Sequence, residues 1–160
     1  MLRNQYEYSL PSMFSMLNPS CVVELILDKT PLQPKELILI ADTFTQLRKM
    51  DLSCGSLSCV DEEKQNVTEN FSIFLQKFSS YGRLENLRII STYDATHLNF
   101  EHIPSSLKRL IICNSKLNSR DLSHIGLRCE QLEELEFSVH LDIVREDVAT
   151  LLLNKYVFLS

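Results

Sequence analysis

Two sets of residues in this chain have types and spacings that could do chemistry. The first is His124 and Cys129, five positions apart. An imidazole within hydrogen-bond reach of a thiol, with a third group to orient it, makes a thiolate nucleophile. The second set recurs along the chain as Glu24, Ile26 and Asp28; Lys49, Asp51 and Ser53; Asn86, Arg88 and Ile90; Arg109, Ile111 and Cys113; and Glu134, Glu136 and Ser138. Their neighbours in sequence are apolar, and alternation of this kind gives a strand one buried and one open face. The chemistry of such an open face is recognition. Ile90, Ile111 and Cys113, edged by Arg88 and Arg109, have the composition of a protein-binding hot spot, an apolar centre with arginine at its rim. The competing explanation is self-neutralisation: with strands in register about 4.8 Å apart, Glu24 lies beside Lys49, Asp51 beside Arg88, and Arg109 beside Glu134. Exposed pairs of that kind need no ligand. The candidate protein-binding residues are Lys49, Asp51, Arg88, Ile90, Arg109, Ile111, Glu134 and Glu136.

Other chemistries lack material. There is no Gly-rich phosphate loop, HExxH or GxSxG, and only 3 glycines in 160 residues. His97, His102 and His140 stand apart without ligand spacing, so surface or turn roles are expected of them. The five cysteines, Cys21, Cys54, Cys59, Cys113 and Cys129, are an odd number without CxxC or CxxH spacing. They are expected to be reduced and mostly buried. No catalytic residue, metal or cofactor is expected. Sixteen basic against 21 acidic residues give a net charge of −5, which argues against nucleic-acid and anionic-membrane partners, both of which need clustered Lys and Arg. The N-terminal residues 1–8 lack the apolar core of a signal peptide, and no apolar run approaches the roughly 18 residues of a membrane span, so a cytoplasmic or nuclear protein is expected. The sequons at Asn66 and Asn70 carry little weight without export.

What must position the open-face residues is a phrase, apolar-x-x-apolar-x-apolar with a further apolar residue downstream. It occurs as Val22-Leu25-Leu27-Leu32, Leu47-Met50-Leu52-Leu57, Leu84-Leu87-Ile89-Leu98, Leu107-Leu110-Ile112-Leu117 and Leu132-Leu135-Phe137-Leu141. The intervals between first residues are 47−22 = 25, 84−47 = 37, 107−84 = 23 and 132−107 = 25. Three of the four fall in the 20–29 residue period of leucine-rich repeats. A strand with one apolar face cannot bury it alone, and stacking in parallel makes a continuous core. The expected architecture is α/β: a right-handed leucine-rich-repeat solenoid of five to six repeats, with a parallel sheet on the concave side and helices or turns on the convex side, forming a single domain over 1–160.

The returns between strands fit this unevenly. Pro34 opens a helix carrying Leu37, Ile38, Ile40 and Ala41, and Thr68 caps one in which Phe71, Phe74, Leu75 and Phe78 keep helical spacing. Ser119 and Asp121 start a third, with Leu122, Ile125 and Cys129, and Arg145 opens a fourth with Val148, Leu151 and Leu152. Residues 99–106 are too short and Pro-broken for a helix. The long interval places an inserted surface loop at 58–67, a polar, acidic stretch. Adding one period to Leu132 puts the start of a sixth phrase at Val157. Residues 10–17 read as the helix of a preceding coil, and neither end has a polar cap, so the chain is expected to be part of a longer one or to meet a partner at an end.

From Ser119 to Phe137 the sequence resembles the cysteine-containing leucine-rich repeats of F-box proteins, in which a helix precedes Cys-x-x-Leu-x-x-Leu-x-Leu, matched by Cys129, Leu132, Leu135 and Phe137. Residues 47–89 are similar to a long repeat in the Zyg/Zer receptors of cullin-RING ubiquitin ligases. These resemblances imply a substrate receptor whose partners include ubiquitin-ligase subunits. The function expected is non-catalytic protein recognition on the concave face. A general adaptor or assembly factor with no ubiquitin role is the alternative, followed by a cysteine-dependent enzyme using Cys129 and His124.

Overall fold

A computed structural model of the chain describes residues 10–27, 32–52, 64–90, 98–113, 117–137 and 157–159. Six strands, β1 (Glu24–Ile26), β2 (Lys49–Leu52), β3 (Asn86–Ile90), β4 (Arg109–Cys113), β5 (Glu134–Phe137) and β6 (Val157–Leu159), form one sheet in sequence order, every neighbouring pair parallel. Equivalent positions of the recurring phrase sit side by side: Leu25, Met50, Leu87, Leu110 and Leu135 make one row across five strands. The protein is thus α/β with a parallel sheet. The last strand is offset from expectation. Val157 pairs with Leu135 rather than with the first position of the phrase, a step of 157−135 = 22 residues.

Two backbone features recur, each at four of the entries into the sheet. Val22, Leu47, Leu107 and Leu132 donate their N–H to the carbonyl three residues earlier, at 3.1–3.4 Å. One step on, the carbonyls of Val23, Arg48, Glu85 and Lys108 each accept from two consecutive N–H groups of the next strand segment, at 2.7–3.1 Å. These bonds fix the register before the ladder begins.

The returns carry α1 (Leu10–Phe14), a 3-10 turn at Pro19–Cys21, α2 (Pro34–Thr43), α3 (Lys64–Tyr81) and α4 (Ser119–Arg128). Pro34 begins α2 as its residue type favours, and Glu36 accepts from the Gln33 N–H at 2.7 Å. Leu37, Ile40 and Ala41 are buried. Helix α3 ends where Gly82, at φ 62°, donates its N–H to Phe78 O at 3.1 Å, a left-handed conformation that glycine adopts without strain. Asn118 caps α4: its side chain accepts from Asp121 N at 2.9 Å while Asp121 accepts from Asn118 N at 3.0 Å. The Phe100 N–H also points at Asp121, 3.5 Å away, so this buried carboxylate ties α4 to the preceding coil. As expected, 99–106 forms turns and no helix.

Three expectations are corrected. The polar stretch 58–67 is not all loop: α3 begins at Lys64, Thr68 is interior to it, and Val67 is fully buried. Val67 extends the stripe of Phe71, Phe74, Leu75 and Phe78 by one turn, and that burial holds the polar residues before it in helix. Residues 58–63 lie outside the described residues, as do the expected helix from Arg145, the open-face residues Asp28, Ser53 and Ser138, and His97 and His140. Among the described cysteines most are not buried: Cys129 is buried, Cys113 is half-buried and Cys21 exposed. Cys54 and Cys59 lie outside the described residues. The expected preceding helix is only the five residues of α1, anchored by Phe14 edge-on to Phe44 at 4.7 Å.

Leu52, Met50, Leu87, Ile89, Leu110, Ile112, Leu135 and Phe137 from the strands join the apolar faces of α2, α3 and α4 in a single buried cluster. One face of the sheet is therefore covered by helices. The other remains open. No described helix is long and apolar enough to cross a membrane.

Candidate functional site

The open face is ordered in rows by the register. Glu24, Lys49, Asn86, Arg109 and Glu134 form one, and Ile26, Asp51, Arg88, Ile111 and Glu136 the next. Beyond them Ile90 pairs with Cys113. All three expected ion pairs form: Lys49 Nζ lies 2.6 Å from Glu24 Oε1, Arg88 Nη1 lies 3.0 Å from Asp51 Oδ2, and Arg109 Nε lies 2.7 Å from Glu134 Oε2. Parallel in-register pairing puts opposite charges of successive strands side by side, which is why their spacing in sequence foretold them. A second line of pairs runs along the strand entries, with Glu85 between Arg48 at 3.7 Å and Lys108 at 3.3 Å. Being half exposed, each pair adds on the order of 0.2–1 kcal/mol.

A depression of about 380 Å³ lies across the middle strands, lined by Lys49, Met50, Asp51, Asn86, Leu87, Arg88, Arg109, Ile111, Cys113 and Glu136. Six of the eight sequence-predicted site residues meet there. Ile90 and Glu134 do not line it, although Glu134 holds Arg109 at its rim. Asn86 and Cys113, read from the sequence as open-face residues but not counted among the eight, also line it. The apolar centre is more enclosed than its outward position implies, since Ile111 is only 7% exposed. Its register neighbours are Arg88 and Glu136, whose long side chains stand on either side of it. It forms a floor rather than a protruding knob.

Cys113 reports on this environment. Burial pushes its thiol above the ordinary cysteine range, the Glu136 carboxylate pushes it further, and the Arg88 guanidinium opposes both. Only the thiolate is nucleophilic, so a raised pKa lowers the reactive fraction at any given pH. Alkylation of Cys113 by iodoacetamide, followed by peptide mass spectrometry, should be slower than that of exposed Cys21 at pH 8. Glu136→Gln should speed it and Arg88→Ala slow it. Equal rates at Cys113 and Cys21 would refute the placement of the thiol beside Glu136.

The other candidate chemistry is not assembled in the same way. Cys129 is fully buried and its Sγ lies 3.4 Å from Pro104 O, to which the thiol donates. His124 is half-buried, and its Nε2 is enclosed without a hydrogen-bond partner. His102 lies in a half-buried turn. Among the described residues no group of three or more His, Cys, Asp or Glu side chains is placed to hold a metal ion. No protein-family model and no curated protein sequence matches the chain.

Proposed function

We propose that this chain is a non-catalytic protein-recognition module whose binding surface is the open face of the sheet. The observation that carries the reading is the depression at the centre of that face, with an apolar floor and a charged rim. The proposed architecture is a right-handed solenoid of leucine-rich repeats with the open face concave. Its support is the recurrence of one turn ahead of β1, β2, β4 and β5 and of one paired ladder bond into β2, β3, β4 and β5, in step with the recurring phrase. The likeness of 119–137 to F-box repeats, and of 47–89 to Zyg/Zer receptors, favours substrate recognition for a cullin-RING ubiquitin ligase. A general adaptor without a ubiquitin role uses the same surface, and capture of cullin subunits distinguishes the two. The burial of Cys129 and its bond to Pro104 O weigh against a cysteine-dependent enzyme.

The test is affinity capture with quantitative mass spectrometry, using the wild type, Asn86→Trp and Lys77→Ala. Asn86 is half-exposed in the depression, so tryptophan there blocks it by bulk whatever the charge of the partner. Lys77 pairs with Asp42 at 2.6 Å on the helical side and serves as control. Partners common to the wild type and Lys77→Ala should fall by about tenfold or more with Asn86→Trp. Thermal unfolding of the three proteins should agree to within a few degrees. Identical capture by all three proteins would refute the open face as the binding surface.

A further inference from the structure

We infer that the central depression takes a basic side chain, Lys or Arg, from a protein partner, with Glu136 receiving its charged end and Ile111 its aliphatic stem. The inference rests on the reading of the open face as a protein-recognition surface and names the chemistry of what that surface reads. It starts from a charge count. Five charged residues line the depression, and its three cations are already engaged: Lys49 with Glu24, Arg88 with Asp51, and Arg109 with Glu134. Glu136 is the remaining charge, and none of the ion pairs formed by the described residues involves it. The two arginines face acidic neighbours one strand away, so an incoming carboxylate would have to displace a partner already in place. An incoming cation displaces nothing.

The shape of the site agrees with the charge. Ile111, directly beside Glu136 in the register, is the apolar floor; Met50 and Leu87 border the depression, but their side chains pack in the core on the helix-covered face of the sheet. A long basic side chain has the matching anatomy, methylenes that cover apolar surface and a charged end that seeks a carboxylate. A volume of about 380 Å³ is at the low end of ligand sites, suited to a single long side chain entering from above. The net charge of −5 favours approach of a basic partner in the same sense.

The experiment uses the full chain, immobilised, in 0.15 M salt. Four pools of nonapeptides are passed over it, degenerate except for a central Lys, Arg, norleucine or Glu. The Lys and Arg pools should be retained about tenfold more than the norleucine and Glu pools and should protect Cys113 from iodoacetamide. Glu136→Gln should abolish the preference, and Glu136→Lys should turn it toward the Glu pool. Glu130→Gln removes the same charge at an exposed turn outside the depression and should leave the preference intact. Equal loss in the Glu130 and Glu136 variants would mean simple attraction to an acidic chain and overturn the inference. A preference for Glu, no preference, or a basic preference indifferent to Glu136 would also overturn it, while capture that depends on Asn86 still stands. Retention of no pool, with capture unaffected by Asn86→Trp, would overturn both readings together.

Discussion

Phe74→Ala is expected to destabilise the protein by about 3–5 kcal/mol, the range for removing a buried aromatic side chain and leaving a cavity. Phe74 is fully buried on α3, its ring centroid 5.8 Å from that of Phe71 and 5.0 Å from that of Phe78. Phe71 in turn meets Phe100 edge-on at 5.5 Å, and Phe78 meets Tyr81 at 5.9 Å. The aromatic file therefore joins α3 to the turn segment that leads into β4. Removing its middle member costs transfer energy, two ring contacts and packing that the flanking rings cannot restore by small movements. Ile73→Ala, one residue away but 39% exposed, is expected to change stability by about 0.5 kcal/mol or less. Urea unfolding of both variants checks the pair. Similar losses in the two would mean that α3 presents a different face to the sheet.

Leu110→Ala and Leu135→Ala should each cost about 2–5 kcal/mol. Both residues are fully buried and are register partners on β4 and β5. Because they touch the same space, their effects should not add: the double variant is expected to depart from the sum by about 0.5–3 kcal/mol. A distant pair, Leu135→Ala with Leu37→Ala on α2, should add to within about 0.5 kcal/mol. The comparison tests the register itself, since a shift by one residue would turn one of the two leucines to the open face. Strict additivity in the register pair would contradict the alignment of the strands.

The strands, their parallel order and three ion pairs were all legible in the sequence for one reason. Recurrence at nearly constant spacing converts a residue's place in the phrase into its place on the sheet, so Asp51 and Arg88 become neighbours although 88−51 = 37 residues apart. The start of α3 was not legible, because Lys64 to Asn66 are polar and the stretch has little apolar periodicity on its own. Only the packing of Val67 against the core shows that the helix extends that far. Ile111 was read as exposed because alternation assigns a face and not a depth. Depth depends on what stands beside it, here Arg88 and Glu136. The vacancy of Glu136 among the ion pairs was hidden for a related reason: pattern places carboxylates on a face, whereas which of them meets a cation is a matter of side-chain geometry. The cap at Asn118 lay in plain view, one residue ahead of the Ser119 chosen as helix start, and the mutual bonds with Asp121 identify it.

The strict order of the sheet, in which each strand touches the ones before and after it in the chain, has a consequence for how the molecule comes apart. Among the described strands none pairs across distant parts of the sequence, so the ladder does not join first to last. Pulling on the ends loads the outer strands first, and each strand that peels away leaves its neighbour as the new edge with its remaining ladder intact. The central strands, flanked on both sides, should then be the slowest to exchange their amide hydrogens, and protection should decline stepwise toward β1 and β6. The depression sits over those central strands, where the scaffold beneath it yields last.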